Sequence, residues 1–331
     1  MADPPASERG AALLTVLLLV AVMAMIATTA LERLSLATRL AGNGAATDQG
    51  RAYLAAAETM ARLRIADLVT RNPGKMTLAG GWLGTPQPVP LPGGMATVTV
   101  NDGGNCFNLN SLVAGPDDSD LKVRPTGILQ FAGLMRAVGI DDRSAQTIAA
   151  ATADWIDTDT TPQPGGAEDE TYLQADRPYR TPNRMMVDAS ELRAVRGVTP
   201  AIYARLRPWV CALPTATLSP INGNTLLPTQ APLLAMLLPG RMTVDQARQY
   251  LSQRPADGYA SGSAFWAGLA RAGISPDAEV GEQLQVTTRY FRAAITVTLG
   301  DNEVSETALI DATKPPARVI GRQWTDAGDA S

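Results

Sequence analysis

The sequence predicts an α+β protein in which one amino-terminal helix, able to cross a membrane, leads into an α/β head interrupted by a large inserted all-α domain. Three observations carry that prediction. No charged residue occurs from Ala11 to Leu31. Strand-like alternation appears at both ends of the chain beyond that helix, at Met95–Val100 and again from Phe291 to Ile310. Between those ends, residues 111–280 read mostly helical.

Composition narrows the function classes. The 331 residues suffice for one anchor and one or two modest domains. Hydrophobic residues make up 45% and charged residues 18%, which supports a packed core and argues against wholesale disorder. Histidine is absent, which excludes Ser-His-Asp and Cys-His catalytic sets and histidine-ligated zinc or haem. A net charge of -4 lacks the basic excess of a chain built to coat nucleic acid. With the commonest general base missing, the chain is not expected to be an enzyme.

The amino terminus comes first in the chain and carries the strongest signal. Met1 to Gly10 is short and polar and ends in Arg9-Gly10. The 21 uncharged residues after it would rise ~32 Å as a helix, close to the hydrocarbon thickness of a bilayer. Glu32, Arg33 and Arg39 then return the chain to water. A secretory signal peptide would need a basic leader, a shorter apolar run and a cleavage site after that run. A cut before the apolar segment, after Gly10, fits better, and the segment then stays on as an anchor.

Beyond the membrane, Tyr53, Leu54, Ala57, Met60, Ala61, Leu63 and Leu68 recur at spacings near three and four, so the helix is expected to continue. Gly42-Asn43-Gly44 should weaken or bend it, and Asn72-Pro73-Gly74 should end it. A Gly/Pro-rich stretch comes next, then the strand at 95–100 and a turn at Asn101–Gly104. Helices are expected near 127–138, 142–154, 190–195, 200–206, 232–238 and 244–252. Strands return at 291–299 and 304–310, joined by a hairpin signal at Leu299–Asn302. After Ala312 the chain is polar and Pro-containing and reads as a loose tail.

Four internal features remain. Cys106 and Cys211 are either unrelated buried thiols or one disulfide, and the anchor, which implies an oxidising compartment, favours the bridge. Asn108-Leu-Asn110 and Asn222-Gly-Asn224 are two N-x-N turns, read here as local caps. Asp154, Asp157 and Asp159 run into a Pro/Gly loop and then Glu168-Asp169-Glu170. Such a loop is either solvated or a site for a hard cation, and its all-oxygen ligands suit calcium. A catalytic carboxylate pair ranks below both, because general acid/base work needs two carboxyls with well-separated pKa values. Finally, Glu191 to Leu206 resembles a helix-hairpin-helix unit turning at Gly197, locally basic through Arg193, Arg196, Arg205 and Arg207.

The leader and anchor, Arg9-Gly10 followed by AALLTVLLLVAVMAMIA, resemble a class III prepilin signal. That resemblance implies cleavage by a prepilin peptidase between Gly10 and Ala11 and N-methylation of Ala11. Most pilins carry glutamate at the fifth mature position; here it is Thr15. A carboxylate in lipid is costly unless paired, and a subunit with nothing above it offers no pairing amine. Together with CFNLNSL, INGNT and D-W-I-D-x-D…G-G-A-E-D-x-x-Y, these features identify a likeness to the K family of minor pseudopilins (GspK) of type II secretion systems.

The resemblance implies a pilin-like head spanning 32–110 and 281–315, an inserted helical domain at 111–280, a leader at 1–10, a transmembrane helix at 11–31 and a flexible tail at 316–331. It implies a single-pass inner-membrane protein with a periplasmic head, at the tip of a short pilus that exports folded proteins across the outer membrane. Implied partners are the I and J minor pseudopilins, then H and the major pseudopilin G, and no nucleic acid. The acidic loop is similar to the family's calcium-binding region, which makes Asp157, Asp159, Glu168 and Asp169 the first-choice ligands and ranks Asp154, Glu170 and Asp176 behind them. The hairpin unit is then a scaffold element. Two rival readings remain: a membrane-tethered DNA-binding or uptake protein using that hairpin, and a minor pilin of a type IV pilus.

Overall fold

A computed structural model describes residues 6–300 and 302–325. Helix α1 (Ala6–Arg71) is a single element of 66 residues. From Leu13 to Gly44 its side chains are exposed, so the apolar run is not part of the head's core. Thr28 and Thr29 donate their hydroxyls to the carbonyls of Ala24 and Met25, both at 2.9 Å. Those bonds satisfy two polar groups where lipid offers no partner. The helix runs through Gly42 and Gly44 without a break, contrary to the sequence expectation. Both positions face open space, and a cost of ~1 kcal/mol each is small against an already propagating helix. It stops at Arg71, just ahead of Asn72-Pro73-Gly74.

The head is a five-stranded sheet of β1 (Gln87–Leu91), β2 (Gly94–Asp102), β3 (Tyr290–Leu299), β4 (Asn302–Asp311) and β5 (Arg318–Thr325), in that spatial order. Every neighbouring pair is antiparallel, so the sheet is a meander interrupted between β2 and β3 by residues 103–289. Period-two alternation sends Ala96, Val98, Phe291, Ala293, Ile295, Val297, Ala308 and Ile310 to one face. There they meet Leu54, Ala57, Ala61 and Ile65 of α1, whose three- and four-residue spacing makes one stripe. Met60 and Leu63, read from sequence as part of that stripe, are exposed instead. Gly50 marks a close approach of helix to sheet, since a Cβ there would stand 2.8 Å from Val304 Cγ2.

The loose tail expected from 316 onward is a correction. Residues 318–325 form β5, in register with β4 from Asp311↔Arg318 to Ser305↔Thr325 across one bulge. Val319, Ile320 and Trp324 suit a strand, and Arg322 is bound to Glu58 of α1. Such a partner, 264 residues away, leaves no trace in local composition. The tail residues beyond Thr325 lie outside the described residues.

The segment between β2 and β3 is helical: α2 (Pro125–Ala137), α3 (Asp142–Ile156), α4 (Asp169–Leu173), α5 (Pro200–Leu206), α6 (Ala231–Ala235), α7 (Val244–Ser252), α8 (Gly262–Ala270) and α9 (Ala278–Gln283). The expected helix at 190–195 is a 3₁₀ turn, Ala189–Ala194, with a capping box from Asp188 and Glu191. Helix α8 is not legible in the sequence because two glycines argue against it. Ser261 caps Ala264, and burial of Phe265, Trp266 and Leu269 outweighs the poor propensity. These helices have their own core, around Phe107, Phe131, Leu134 and Leu233. A small third cluster of Cys106, Cys211, Leu213 and Tyr290 lies at the root of β3.

Both N-x-N turns reach much further than local caps. Phe107–Asn108 pairs in parallel with Val210–Cys211, and Ile221–Asn222 pairs in parallel with Leu284–Gln285. Asn110 donates to the carbonyls of Met186 (2.9 Å) and Leu213 (2.8 Å) and accepts from Met186 N. Asn224 likewise grips both polar groups of the Tyr259 backbone. Each helical unit thus opens on an asparagine that clamps a distant loop and closes on a short parallel pairing. All four asparagines are buried, which makes these bonds structural.

Candidate functional site

The last turn of α3 places Asp154 and Asp157 three residues apart, hence on one face of the helix. The chain leaves as a loop and returns with Glu168 at the N-cap of α4. Gly166 makes that return possible, since a Cβ there would lie 1.9 Å from Asp154 Oδ2. Asp154 accepts from Ala167 N at 2.7 Å and from Gln163 N at 3.1 Å, which folds the loop over the helix end.

As a result, carboxylate oxygens of Asp154, Asp157 and Glu168 lie within 4.8 Å of one another, and all three side chains are buried. Neither oxygen of Asp157 nor of Glu168 has a hydrogen-bond partner. Burial, followed by the charges of Asp159, Glu168 and Asp154, pushes the Asp157 carboxyl up to about 8. Burial, then Asp154 and Asp159, pushes Glu168 up to about 7. Asp154 is raised as well, chiefly by burial and against its two backbone donors. Three carboxylates with four orphaned oxygens and no nitrogen or sulfur donor make a set fitted to a hard divalent cation. Left alone, such a cluster carries a large desolvation cost.

Of the expected ligands, then, Asp157 and Glu168 come together, and the lower-ranked Asp154 joins them. Asp159 and Asp169 do not. Asp159 is exposed and accepts from Thr161 N at 2.8 Å. Asp169 pairs with Arg180 and accepts from the amide and hydroxyl of Thr181, bonds that lower its pKa. Glu170 and Asp176 are exposed. The signal that singles out Asp154 was present: i,i+3 spacing from Asp157 at the end of a regular helix, whereas Asp159 lies past the helix end.

An aromatic group belongs to the same elements, with Trp155 on α3 and Tyr172 on α4. Trp155 stands edge-on to Tyr172 at 5.3 Å, and Tyr172 lies 5.2 Å from Tyr179. The two tyrosines bind the hairpin unit: Tyr172 Oη accepts from Arg196 N, and Tyr179 Oη donates to Ala194 O. Arg196 also donates to Gly166 O at 3.1 Å, and Arg205 to Gly139 O at 3.0 Å. A Cβ at Gly197 would meet Ile148 of α3 at 3.1 Å. The hairpin thus directs its turn and two of its four arginines at protein, which favours the scaffold role over phosphate binding.

Two other expected features have definite places. Cys106 and Cys211 form a disulfide with Cα atoms 5.9 Å apart, 105 residues apart in sequence. Gly10 and Ala11 lie within α1, while most of the leader, residues 1–5, lies outside the described residues.

Comparison with known proteins adds a second line of observation. Residues 105–215 and 221–287 each match a family described as type II secretion system (T2SS), protein K. The type II secretion system protein K of Pectobacterium carotovorum subsp. carotovorum is 34% identical over 96% of both chains. That of Aeromonas hydrophila is 35% identical over 89% of this chain and 90% of its own. Among solved structures, a chain of the GspK-GspI-GspJ complex of the enterotoxigenic Escherichia coli type 2 secretion system matches with a TM-score of 0.73 and 31% identity. It covers 85% of this chain and 97% of its own length.

Proposed function

The chain belongs to the type II secretion system protein K family, and from that premise we propose that it is the minor pseudopilin at the pseudopilus tip. There it joins the I and J minor pseudopilins, with H and the major pseudopilin G below, and primes assembly of the filament that exports folded proteins. The observation that carries the reading is α1: a stem whose first half is free and apolar while its second half is built into the head sheet. Such a stem can leave lipid for a bundle of like stems without unfolding the head. The inner membrane holds it before assembly, with the head on the periplasmic side, where the disulfide is at home. Its role is structural rather than catalytic. A bulky insert on one end of the sheet leaves room for further pseudopilins only from beneath.

Calcium is proposed as the resident cation, held by Asp154, Asp157 and Glu168. It would neutralise the orphaned carboxylates and fix the α3–α4 return on which the hairpin unit rests. The remaining ligands of a six- to eight-coordinate ion would be backbone carbonyls or water.

The proposal requires prepilin peptidase to remove residues 1–10 while the stem stays on. In a secreting strain lacking this chain, the wild-type protein should restore export and show a mature amino terminus at N-methylated Ala11 by mass spectrometry. Gly10→Val should retain Met1 and leave exported proteins in the periplasm. Normal export by a chain that keeps Met1 would overturn the assignment.

A further inference from the structure

Where stem, sheet and edge strand meet, two buried carboxylates face one guanidinium. Glu58 of α1 is 8% exposed and Glu306 of β4 is 4% exposed. Arg322 of β5 reaches Glu58 with both arms of its fork, Nε to Oε2 at 2.5 Å and Nη2 to Oε1 at 3.0 Å. Its nearest approach to Glu306 is 3.8 Å, beyond hydrogen-bonding distance. Glu306 Oε1 is sealed from solvent and has no hydrogen-bond partner, so the two acids are neighbours across the one guanidinium that only Glu58 binds.

Counting charges sharpens the problem. With both acids ionised, two buried carboxylates face a single, half-exposed guanidinium, and the surplus negative charge on the buried side is costly. The remaining neighbours supply little relief. From α1, Arg62 acts only at a distance on Glu58. On β3 the residue opposite Glu306 is the uncharged Ile295, and on β5 it is Trp324. Glu306 Oε1 is closed to solvent and so is not neutralised by water or a hydrated ion. A proton on the carboxyl itself removes the surplus charge without needing access from solvent.

We propose that the Glu58–Glu306 pair holds a single proton, carried by Glu306, and that this pair with Arg322 forms a proton-dependent clasp holding β5 to the stem. With that proton in place the cluster is neutral: one carboxylate, one guanidinium, one carboxylic acid. The directions of titration agree, since burial and the Glu58 carboxylate raise Glu306, and the bond from Arg322 lowers Glu58. For an acid raised in the folded state, the stabilisation is complete at acid pH and is lost as pH rises through its folded pKa. Alkaline conditions should therefore free β5, the sheet's edge, while the buried strands hold.

The test is amide hydrogen exchange of residues 318–325 in the full chain in detergent micelles, with calcium present, corrected for the intrinsic pH dependence of exchange. Protection should fall by roughly tenfold or more between about pH 6 and about pH 9. Glu306→Gln is neutral throughout and should keep protection high at both values. Glu58→Gln leaves one carboxylate for one guanidinium and should remove the pH step as well. Three results would each overturn the clasp: unchanged wild-type protection across this range, the same step in Glu306→Gln, or protection already lost at about pH 6 in Glu306→Gln. Infrared difference spectra supply a readout that does not depend on strand stability. A protonated-acid carbonyl band present in wild type at neutral pH should be missing in Glu306→Gln, and its absence from wild type would count equally against the proposal.

Discussion

Chelation of calcium is expected to lower the melting temperature of the head strongly at about pH 8 and hardly at all at about pH 5. The sign follows from the raised carboxyls. In the cation-free fold Asp157 is pushed up to about 8 and Glu168 to about 7, so at acid pH both are neutral and tolerate burial. As pH rises through those values the cation-free fold must bury ionised groups, and it loses the stability they had below their unfolded pKa values. Calcium binds the ionised form, so its benefit grows over that same window. At calcium near 100 times its dissociation constant the gain is about 2.7 kcal/mol, a shift of roughly 5–10 °C for a domain of this size. Asp157→Asn and Glu168→Gln should each abolish the calcium response and stabilise the chelated protein at about pH 8. Asp159→Asn should leave the response intact, since Asp159 points to solvent. A calcium effect independent of pH, or one that Asp159→Asn removes, would contradict this ligand set.

The disulfide is expected to have the larger effect on folding. Cys106 and Cys211 close a loop of 105 residues that contains the whole first helical unit. In the chain-entropy model such a bridge contributes up to about 4–5 kcal/mol, equivalent to roughly 10–15 °C in melting temperature. Its position adds to this, because the bridge packs against Leu213 and Tyr290, where the insert joins β3. The double variant Cys106→Ser, Cys211→Ser should melt lower by about that amount, and reductant should lower wild type toward it while leaving the variant unchanged. Equal melting of oxidised and reduced wild type would show that the joint is held by packing alone.

Much of the fold could be read from residue order because much of it is local. The stem needed only a count of uncharged residues, and β3 and β4 only the alternation from Phe291 to Ile310. The illegible parts depend on contacts between distant residues. Strand β5 comes after a pair of prolines and is held by Glu58 and by Gln323 against Asp188. The asparagine turns looked like caps because their partners, Met186 and Tyr259, lie 76 and 35 residues further along. At the carboxylate cluster the residue types and the loop were legible, but orientation was not. Asp159 and Asp169 are carboxylates of the same segment as Asp154, and only the helix end and the Gly166 return decide which three point inward.

The central claim is that this chain caps a filament by binding two particular neighbours. The direct measurement is size-exclusion chromatography with light scattering on the three mature proteins from one bacterium: this chain, its I pseudopilin and its J pseudopilin, mixed at micromolar concentration in detergent. The account predicts one stable species with the mass of a 1:1:1 complex, in which this chain binds an I–J pair. Three separate peaks, or an I–J pair that leaves this chain behind, would contradict it.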